Sequence, residues 1–300
     1  MAAQVALVGL GNMGSAVADR LLEAEHELLV HNRTPGRDDD LVARGARRLA
    51  SAGDALAEAD TCLLVLADDD AVEAVAAEVL DRARPGTTLI EMSTISVAAS
   101  ARLSAAAAAH EVEYLRAPFS GNPTAVRGGT AAIFVSGPPD VAERAEPLLR
   151  SIAPTVRYVG EGERARALKL VLQILIGGTA ELLAEAIVLG EAAGIDRRTL
   201  LDTIGASVVG SRFVEYKTEP LLRGDYSATF TTAMMRKDVD LVLDLAGDVG
   251  VELPVTVELR PLLDAACEAG HADEDFLSLA LALEERSRRA RNARKEQVTT

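Results

Sequence analysis

The sequence predicts an α/β protein, with a doubly wound parallel sheet in its N-terminal half and an all-helical C-terminal domain, the two joined by a long helix. Three observations predict this class. Short runs of Val, Leu and Ile alternate with helical runs through the first half. Strict alternation of this kind indicates parallel strands with helices on both faces of the sheet. Beyond residue 162, a stretch of about thirty residues contains no proline, and the pattern after it is helical.

The predicted elements follow one another in chain order. Each strand is short and apolar, and each helix carries apolar residues at helical spacing. The sequence predicts strands at Gln4–Gly9, Glu27–His31, Thr61–Ala67 and Thr87–Met92, and helices at Asn12–Glu25, Asp70–Ala83 and Ser96–Glu111. Further strands are predicted at Glu113–Arg116, Thr130–Ser136 and Thr155–Val159.

The length and the change of pattern divide the chain into two domains. Three hundred residues exceed what one hydrophobic core ordinarily organises. We expect a first domain at 1–162 and a helical second domain at 163–290, which begins with a helix at about 163–193. Because 49% of the residues are hydrophobic but only 3% are aromatic, both cores must consist mainly of Ala, Leu and Val. A basic tail at 291–300 is expected to be disordered.

The charge and the cysteines argue against several classes of protein. A net charge of −15 disfavours binding along a nucleic-acid backbone. Cys62 and Cys267 have no metal-ligand spacing and indicate free thiols in a reducing compartment. No secretory signal opens the chain, and the most apolar stretch, 168–189, contains Lys169 and Glu181, which disfavours a membrane span. We therefore expect a cytoplasmic protein with no metal and with neither a nucleic-acid nor a membrane partner.

A glycine-rich hexapeptide lies between the first strand and the first helix. In Gly9-Leu10-Gly11-Asn12-Met13-Gly14, the first glycine makes the tight turn and the second lets the backbone approach a pyrophosphate. The third lets the helix pack close to the strand, and the helix N-terminus faces the phosphate charge. The strand–loop–helix context predicts a Rossmann-type dinucleotide site formed by all six residues, with a glycine turn that binds nothing as the alternative.

The residues after the second strand indicate which dinucleotide binds. An NAD site usually places a carboxylate there to accept hydrogen bonds from the ribose 2′-hydroxyl. This chain has Asn32-Arg33-Thr34 instead, where Arg33 offers a planar cation for a 2′-phosphate and its neighbours offer neutral donors. The nearby Asp38-Asp39-Asp40 is interpreted as a solvated loop. The sequence therefore predicts NADP as the cofactor, the alternative being a surface arginine that caps a strand.

Five segments, in this order and spacing, resemble the β-hydroxyacid dehydrogenase family, which includes 3-hydroxyisobutyrate dehydrogenase and the tartronate, glyoxylate and succinic semialdehyde reductases. The resemblance extends from Gln4 to about Leu283. The segments are Gly9–Gly14; Glu91-Met92-Ser93-Thr94; Ala117-Pro118-Phe119-Ser120-Gly121-Asn122 with Gly128-Gly129-Thr130; Gly160-x-Gly162 leading to Lys169; and Lys237-Asp238 with Gly270 and Asp275-Phe276.

The resemblance implies a role for several of these residues. Lys169 occupies the place of the family's catalytic lysine, and Ser120, Gly121, Asn122 and Gln173 occupy substrate-binding places. Thr94 is implied to lie near the nicotinamide. Two further sets are expected to line the cofactor: Leu66 and Ala67, which end the third predicted strand, and Lys237 of the second domain. For Lys237, a surface ion pair with Asp238 or Asp240 is an alternative.

The chemistry of reduction suits Lys169. A carbonyl oxygen that receives a hydride on its carbon gains negative charge, which an ammonium group can stabilise and then protonate. An apolar helix is expected to lower the pKa of this lysine by desolvation. Lys169 and Gln173 are one helical turn apart, so both can face one ligand. An ordinary lysine extending from an apolar helix to solvent is the alternative.

Two positions depart from the family pattern, because Gln173 stands where Asn is usual and Asn122 stands where Gly is usual. The sequence predicts an NADP-dependent oxidoreductase acting on a small hydroxyacid or its semialdehyde or keto acid counterpart, with Lys169 as general acid and base. Imine reduction is an alternative, although imine reductases typically replace this lysine. A non-catalytic NADP-binding protein is another. The long helix has few charges and predicts a homodimer or homotetramer.

Overall fold

A computed structural model describes residues 3–298 of the chain, with side chains described through residue 290. The chain divides into two compact units, Met1–Lys169 and Leu170–Thr300. The division falls inside one continuous helix, whereas the sequence pattern places the domain boundary where that helix begins. When one helix contributes to two cores, its sequence shows no break at the residue where the first core ends and the second begins.

The first unit contains the predicted parallel sheet. Its six strands run in the order β3-β2-β1-β4-β5-β6, and every neighbouring pair is parallel. The strands are β1 (Gln4–Val8), β2 (Glu27–His31), β3 (Arg47–Arg48), β4 (Thr61–Leu64), β5 (Thr88–Glu91) and β6 (Glu113–Arg116). The strand order reverses between β1 and β4, which is where the carboxyl ends of parallel strands open a ligand crevice. The predicted α/β class is therefore confirmed.

Helices cover both faces of this sheet, each over its own buried core. They are α1 (Asn12–Glu23), α2 (Asp39–Ala43), α3 (Ala55–Glu58), α4 (Asp69–Asp81) and α5 (Val97–Ala109). Alternate strand residues point to opposite faces, so Leu7 joins one core and Ala6 the other. Both faces of the central strands are buried, which is why β1, β2 and β4 carry continuous apolar runs rather than alternating ones.

A second, three-stranded sheet follows β6, a separation that the sequence pattern did not reveal. Its order is β7-β8-β9, with β7 antiparallel and β9 parallel to β8. The elements are β7 (Phe119–Ser120), α6 (Pro123–Arg127), β8 (Ala132–Val135), α7 (Pro139–Ile152) and β9 (Thr155–Tyr158). The strands predicted at Thr130–Ser136 and Thr155–Val159 thus form this small sheet and do not extend the large one.

The second unit is helical, as predicted, and its core is built mainly from Leu, Ala and Val. The helices are α8 (Arg164–Ala192), which begins in the first unit, α9 (Arg197–Ala206), α10 (Arg212–Arg223), α11 (Thr232–Val249), α12 (Pro254–Ala266) and α13 (Leu279–Val298). Gly177 lets α8 pack closely, because a Cβ there would lie 3.0 Å from Leu259 and 3.2 Å from Met235. The sequence predicts a disordered tail at 291–300. The side chains of these residues lie outside the described part of the chain, as does the backbone of residues 299 and 300.

By length and composition alone, α8 could cross a membrane, with a mean hydropathy of 1.7 over its most apolar window. Core helices of soluble proteins pass the same test. In the second unit, Ala180, Leu183, Ala184 and Ile187 of α8 are buried in the core. One face of α8 therefore packs into the core of the second unit.

Candidate functional site

The glycine loop between β1 and α1 has the geometry that a dinucleotide site requires. Gly9 has a φ of +99°, and a Cβ at this position would lie 2.2 Å from the carbonyl oxygen of Val65. A Cβ at Gly14 would lie 1.9 Å from the carbonyl oxygen of Gly9. Only glycine therefore fits at these two positions, for reasons of backbone packing within the fold.

Gly11 differs from both, because a Cβ there would meet no described atom within 4 Å. Gly11 is the N-cap of α1 and, lacking a side chain, makes no capping hydrogen bond to the first backbone N–H groups of the helix. An open glycine at an uncapped helix N-terminus leaves room and donors for a phosphate group. The residues present here thus fit a dinucleotide pyrophosphate.

Asn32 links the glycine loop to the end of β2. Its Oδ1 accepts a hydrogen bond from the backbone N–H of Leu10 at 2.8 Å, and its Nδ2 donates to the carbonyl oxygen of Thr34 at 3.0 Å. The side chain predicted to offer a donor to the cofactor is therefore engaged within the loop. These two bonds tie the backbone of Leu10 in the glycine loop to that of Thr34 after β2.

The charges after β2 are arranged differently from the solvated loop that the sequence suggested. Asp38 is only 5% exposed and accepts a hydrogen bond from Arg48, which also donates to Asp39 at 2.6 Å. The adjacent Arg48 guanidinium holds the pKa of the Asp38 carboxyl below its ordinary value. Arg33 and Arg37 are exposed, and neither forms an ion pair within the described residues. Asp38 is thus buried and paired with Arg48 of β3, while Arg33 and Arg37 face solvent.

The ends of β4 and β5 are joined by a buried network. Ser93 Oγ accepts a hydrogen bond from the backbone N–H of Leu66 at 2.8 Å, and Glu91 accepts one from the N–H of Ser93 at 2.6 Å. Arg166, at the start of α8, donates both to Glu91 and to the carbonyl oxygen of Ser93. Glu91 and Arg166 are fully buried. Burial raises the pKa of the Glu91 carboxyl, and the guanidinium of Arg166 opposes that shift.

This network places Leu66 and Thr94 at the same sheet edge as the glycine loop. Leu66 lies against the loop, since its Cδ2 would be 2.8 Å from a Cβ at Gly9. Thr94 directly follows Ser93 and is partly exposed, and Ala67 is exposed. The sequence did not predict this network. Arg166 belongs to no motif, and a single arginine in an apolar helical run does not indicate a buried partner.

The predicted substrate segment forms a turn after β7. Gly121 has a φ of +136°, which favours glycine at this position. Asn122 is the N-cap of α6, and its Oδ1 accepts a hydrogen bond from the N–H of Ala125 at 2.8 Å. The departure from the family pattern at Asn122 therefore has a local explanation, because Asn is a favoured N-cap. Its side chain is directed to the helix that follows.

Lys169 lies in α8, one turn beyond Arg166, and is 9% exposed. The start of this helix is bonded to the first unit at two further points. Glu163 accepts hydrogen bonds from Arg116, and Ser136 Oγ accepts one from the N–H of Ala165 at 3.1 Å. Three separate contacts therefore precede the lysine, two of them from α8 itself and one from Glu163 directly before it.

In the second unit, Gln173 and Lys237 share one partner, Asp238. Gln173 is 2% exposed, and its Nε2 donates a hydrogen bond to Asp238. Lys237 forms an ion pair with the same carboxylate at 2.9 Å between Nζ and Oδ1. The ion pair is the one named above as an alternative for Lys237. Gln173 thus has a fixed orientation, with its amide nitrogen held by the carboxylate.

Two family models together match nearly the whole chain. The NAD-binding domain of 6-phosphogluconate dehydrogenase matches residues 4–160. The NAD-binding domain of NADP-dependent 3-hydroxyisobutyrate dehydrogenase matches residues 163–283.

Individual proteins and structures are similar over the same length. An uncharacterised oxidoreductase of Bacillus subtilis is 32% identical and covers 92% of this chain and 98% of its own. An NAD-dependent L-serine dehydrogenase of Pseudomonas aeruginosa is 30% identical and covers 91% of this chain and 95% of its own. The crystal structure of Mycobacterium tuberculosis 3-hydroxyisobutyrate dehydrogenase with L-serine is 30% identical with a TM-score of 0.85, covering 94% of this chain and 99% of its own.

Proposed function

The chain belongs to the 3-hydroxyisobutyrate dehydrogenase family of β-hydroxyacid dehydrogenases and is an NAD(P)-dependent oxidoreductase, and from that premise we propose that Lys169 is its general acid and base. We propose NADP as the preferred cofactor and a small hydroxyacid, or its semialdehyde or keto acid counterpart, as the substrate. The observation that carries the proposal lies one turn before Lys169, where Arg166 of α8 is bonded to Glu91 and Ser93. These two residues lie at the edge of the sheet that also carries the glycine loop, which we call the cofactor edge.

When bound, the nicotinamide supplies or accepts the hydride. Lys169 then acts on the substrate oxygen: its ammonium group stabilises the negative charge that develops in reduction and gives that oxygen a proton. In oxidation the neutral amine takes the hydroxyl proton. The low exposure of Lys169 strengthens its interaction with this oxygen, because little water screens the charge.

The turn after β7 supplies polar groups for the rest of the substrate. The Ser120 hydroxyl and the backbone N–H groups of Gly121 and Asn122 can hold a carboxylate or a hydroxyl group. Because the Asn122 side chain is engaged as an N-cap, the segment offers mainly its backbone and the serine. Such a site suits a short, hydrophilic substrate.

The preference for NADP rests on the loop after β2. The carboxylates of Asp38 and Asp39 are paired with Arg48, so they do not offer the acceptor that the ribose 2′-hydroxyl of NAD would need. Arg33 is an exposed cation directly after β2. A guanidinium can hold a 2′-phosphate with two hydrogen bonds.

The catalytic proposal is tested by following NADPH absorbance with a panel of semialdehydes, keto acids and cyclic imines. We expect turnover of an aldehyde or keto acid, and a loss of about 100-fold or more in kcat for Lys169→Met, because general acid catalysis contributes roughly that factor. Exposed Arg157→Met of β9 serves as the control. Turnover of imines alone would favour imine reduction, and turnover unaffected by Lys169→Met would refute the assignment. NADPH binding without any turnover would favour a non-catalytic protein.

The cofactor proposal is tested by titrating NADPH and NADH against the wild type and Arg33→Ala. We expect the wild type to bind NADPH more tightly, and the variant to lose about 10- to 100-fold in NADPH affinity with little change for NADH. Arg37→Ala, which removes an exposed cation of the same loop, should change the ratio by less than about threefold. Tighter binding of NADH by the wild type would refute the proposal.

We also propose that the protein is a homo-oligomer, with α8 at the interface. Val171, Leu175, Leu182 and Leu189 are 49–72% exposed and recur along one face of this helix. Light scattering on Leu182→Glu should show a smaller particle than the wild type, whereas Val255→Glu, at an equally exposed position of α12, should leave the mass unchanged. A monomeric wild type would refute the proposal.

A further inference from the structure

Glu91 and Arg166 form a fully buried ion pair inside the first unit, and we propose that Arg166 is a positioning residue that holds Lys169 in place at the cofactor edge of the sheet. This inference rests on the proposed role of Lys169. Arg166 lies three residues before Lys169 on α8, about 4.5 Å along the helix axis. Residues at this spacing lie on neighbouring parts of one helix face.

The contacts of Arg166 lead to the sheet edge that the cofactor is expected to occupy. Its guanidinium donates to the side chain of Glu91, the last residue of β5, and to the backbone carbonyl of Ser93. Ser93 in turn accepts a hydrogen bond from the N–H of Leu66, which lies against the glycine loop. Arg166 thus joins α8 directly to the end of β5 and, through Ser93, to Leu66 beyond the end of β4.

Stability does not explain the pair, since the cost of desolvating two charges opposes what their attraction contributes. Apolar side chains of similar volume commonly serve the core as well. What an ion pair with a forked guanidinium adds is direction, because its hydrogen bonds require one orientation of the helix relative to the strand end. The energetic argument therefore favours a role in geometry.

Of the three contacts named for this part of the chain, that of Arg166 lies nearest to the lysine in sequence. Glu163, which is bonded to Arg116 and directly precedes α8, and Ala165, which is bonded to Ser136, lie farther from Lys169 along the chain. These two contacts would remain if the Glu91–Arg166 pair were replaced. The start of the helix would stay attached, while the turn that carries Lys169 would gain freedom.

The test compares the wild type with the double variant Glu91→Met/Arg166→Met. The double change is used because removing one partner would leave a buried charge unpaired. We expect the double variant to fold and to keep measurable NADPH binding, weakened by the loss of the Glu91 acceptor for the Ser93 N–H. Its kcat should fall about 10-fold or more with little change in KM, because misplacing a catalytic group mainly affects the chemical step.

A second readout needs no turnover. Brief acetylation of the intact protein, followed by peptide mass spectrometry, reports the reactivity of Lys169 relative to Lys237. We expect this ratio to change by about threefold or more in the double variant, because the amine is held differently. The matched control is Lys217→Met/Asp275→Met, which replaces a buried ion pair of the second unit and should alter neither kcat nor the ratio.

The two readouts separate the inference from the proposed function. A wild type that reduces none of the panel would refute the proposed function, while a changed acetylation ratio would still support positioning by Arg166. An unchanged ratio together with full kcat in the double variant would overturn the inference. A control variant that changes both readouts equally would also overturn it, since the effect would then reflect general loss of packing.

Discussion

Replacing Gly11 with alanine should weaken cofactor binding while leaving the stability of the fold nearly unchanged. Gly11 has a φ of −67° and a ψ of −171°, which alanine adopts without strain, and a Cβ there would meet no described atom within 4 Å. Gly11→Ala should therefore cost at most about 1 kcal/mol of stability, the usual difference between glycine and alanine at an N-cap. The added methyl group would project into the space that a pyrophosphate needs.

The expected loss of affinity follows from that crowding. Forcing a methyl group into an occupied site typically costs about 1–3 kcal/mol. We therefore expect NADPH affinity to fall about 5- to 150-fold, because about 1.4 kcal/mol corresponds to a factor of ten. Gly9→Ala should behave differently and unfold the first unit, since its Cβ would lie 2.2 Å from the Val65 carbonyl oxygen.

Fluorescence titration of NADPH and thermal unfolding measure the two effects separately. Gly247→Ala is the matched control, because Gly247 lies in α11 and a Cβ there would also meet no described atom within 4 Å. It should leave NADPH affinity unchanged. Wild-type affinity in Gly11→Ala would show that no phosphate approaches this glycine. Unfolding of Gly11→Ala would show that the space around it is needed by the fold.

Two further predictions concern stability. Burial, reinforced by the charge of Glu185, raises the pKa of the Glu181 carboxyl to about 7. The folded state therefore binds this proton more tightly than the unfolded chain does. As a result, the protein loses stability as the pH rises from about 4.5 to 7. Glu181→Gln should be more stable than the wild type by about 1–2 kcal/mol at pH 8 and equally stable near pH 4, and equal stability at both values in denaturant titrations would contradict this reasoning. Asn122→Ala should lose about 1 kcal/mol through the missing N-cap of α6, whereas Asn122→Gly should lose only a few tenths, and equal losses would rule out capping by the side chain.

The strands of the large sheet were predicted more closely than the connections between them. Glu27–His31 and Glu113–Arg116 have the predicted bounds, because continuous apolar runs mark strands buried on both faces. The strand predicted at Thr61–Ala67 ends earlier, at Leu64. Beyond it, the backbone N–H of Leu66 bonds to the side chain of Ser93. The short elements between β2 and β4 were not predicted, since two to five residues carry too little periodicity.

The candidate site divides in the same way. The glycine loop was predicted because its function depends on residue types at consecutive positions. The hydrogen-bond partners of Asp38 and Gln173 were not predicted, because they are distant in sequence. Arg48 lies 10 residues from Asp38, and Asp238 lies 65 residues from Gln173. The assignments of Lys169, Ser120 and Lys237 to catalysis and binding remain predictions that the experiments above address.

The sequence by itself determined the α/β class, the helical second half, the dinucleotide loop and the family, because each depends on local periodicity or on motifs in a fixed order. Only the tertiary structure decided how charges are paired. It separated the small sheet from the large one, neutralised Asp38 within its loop and joined Glu91 to Arg166 across 75 residues. The physical reason is that burial makes a charge depend on whichever opposite group folding brings to it, and no local pattern specifies that partner.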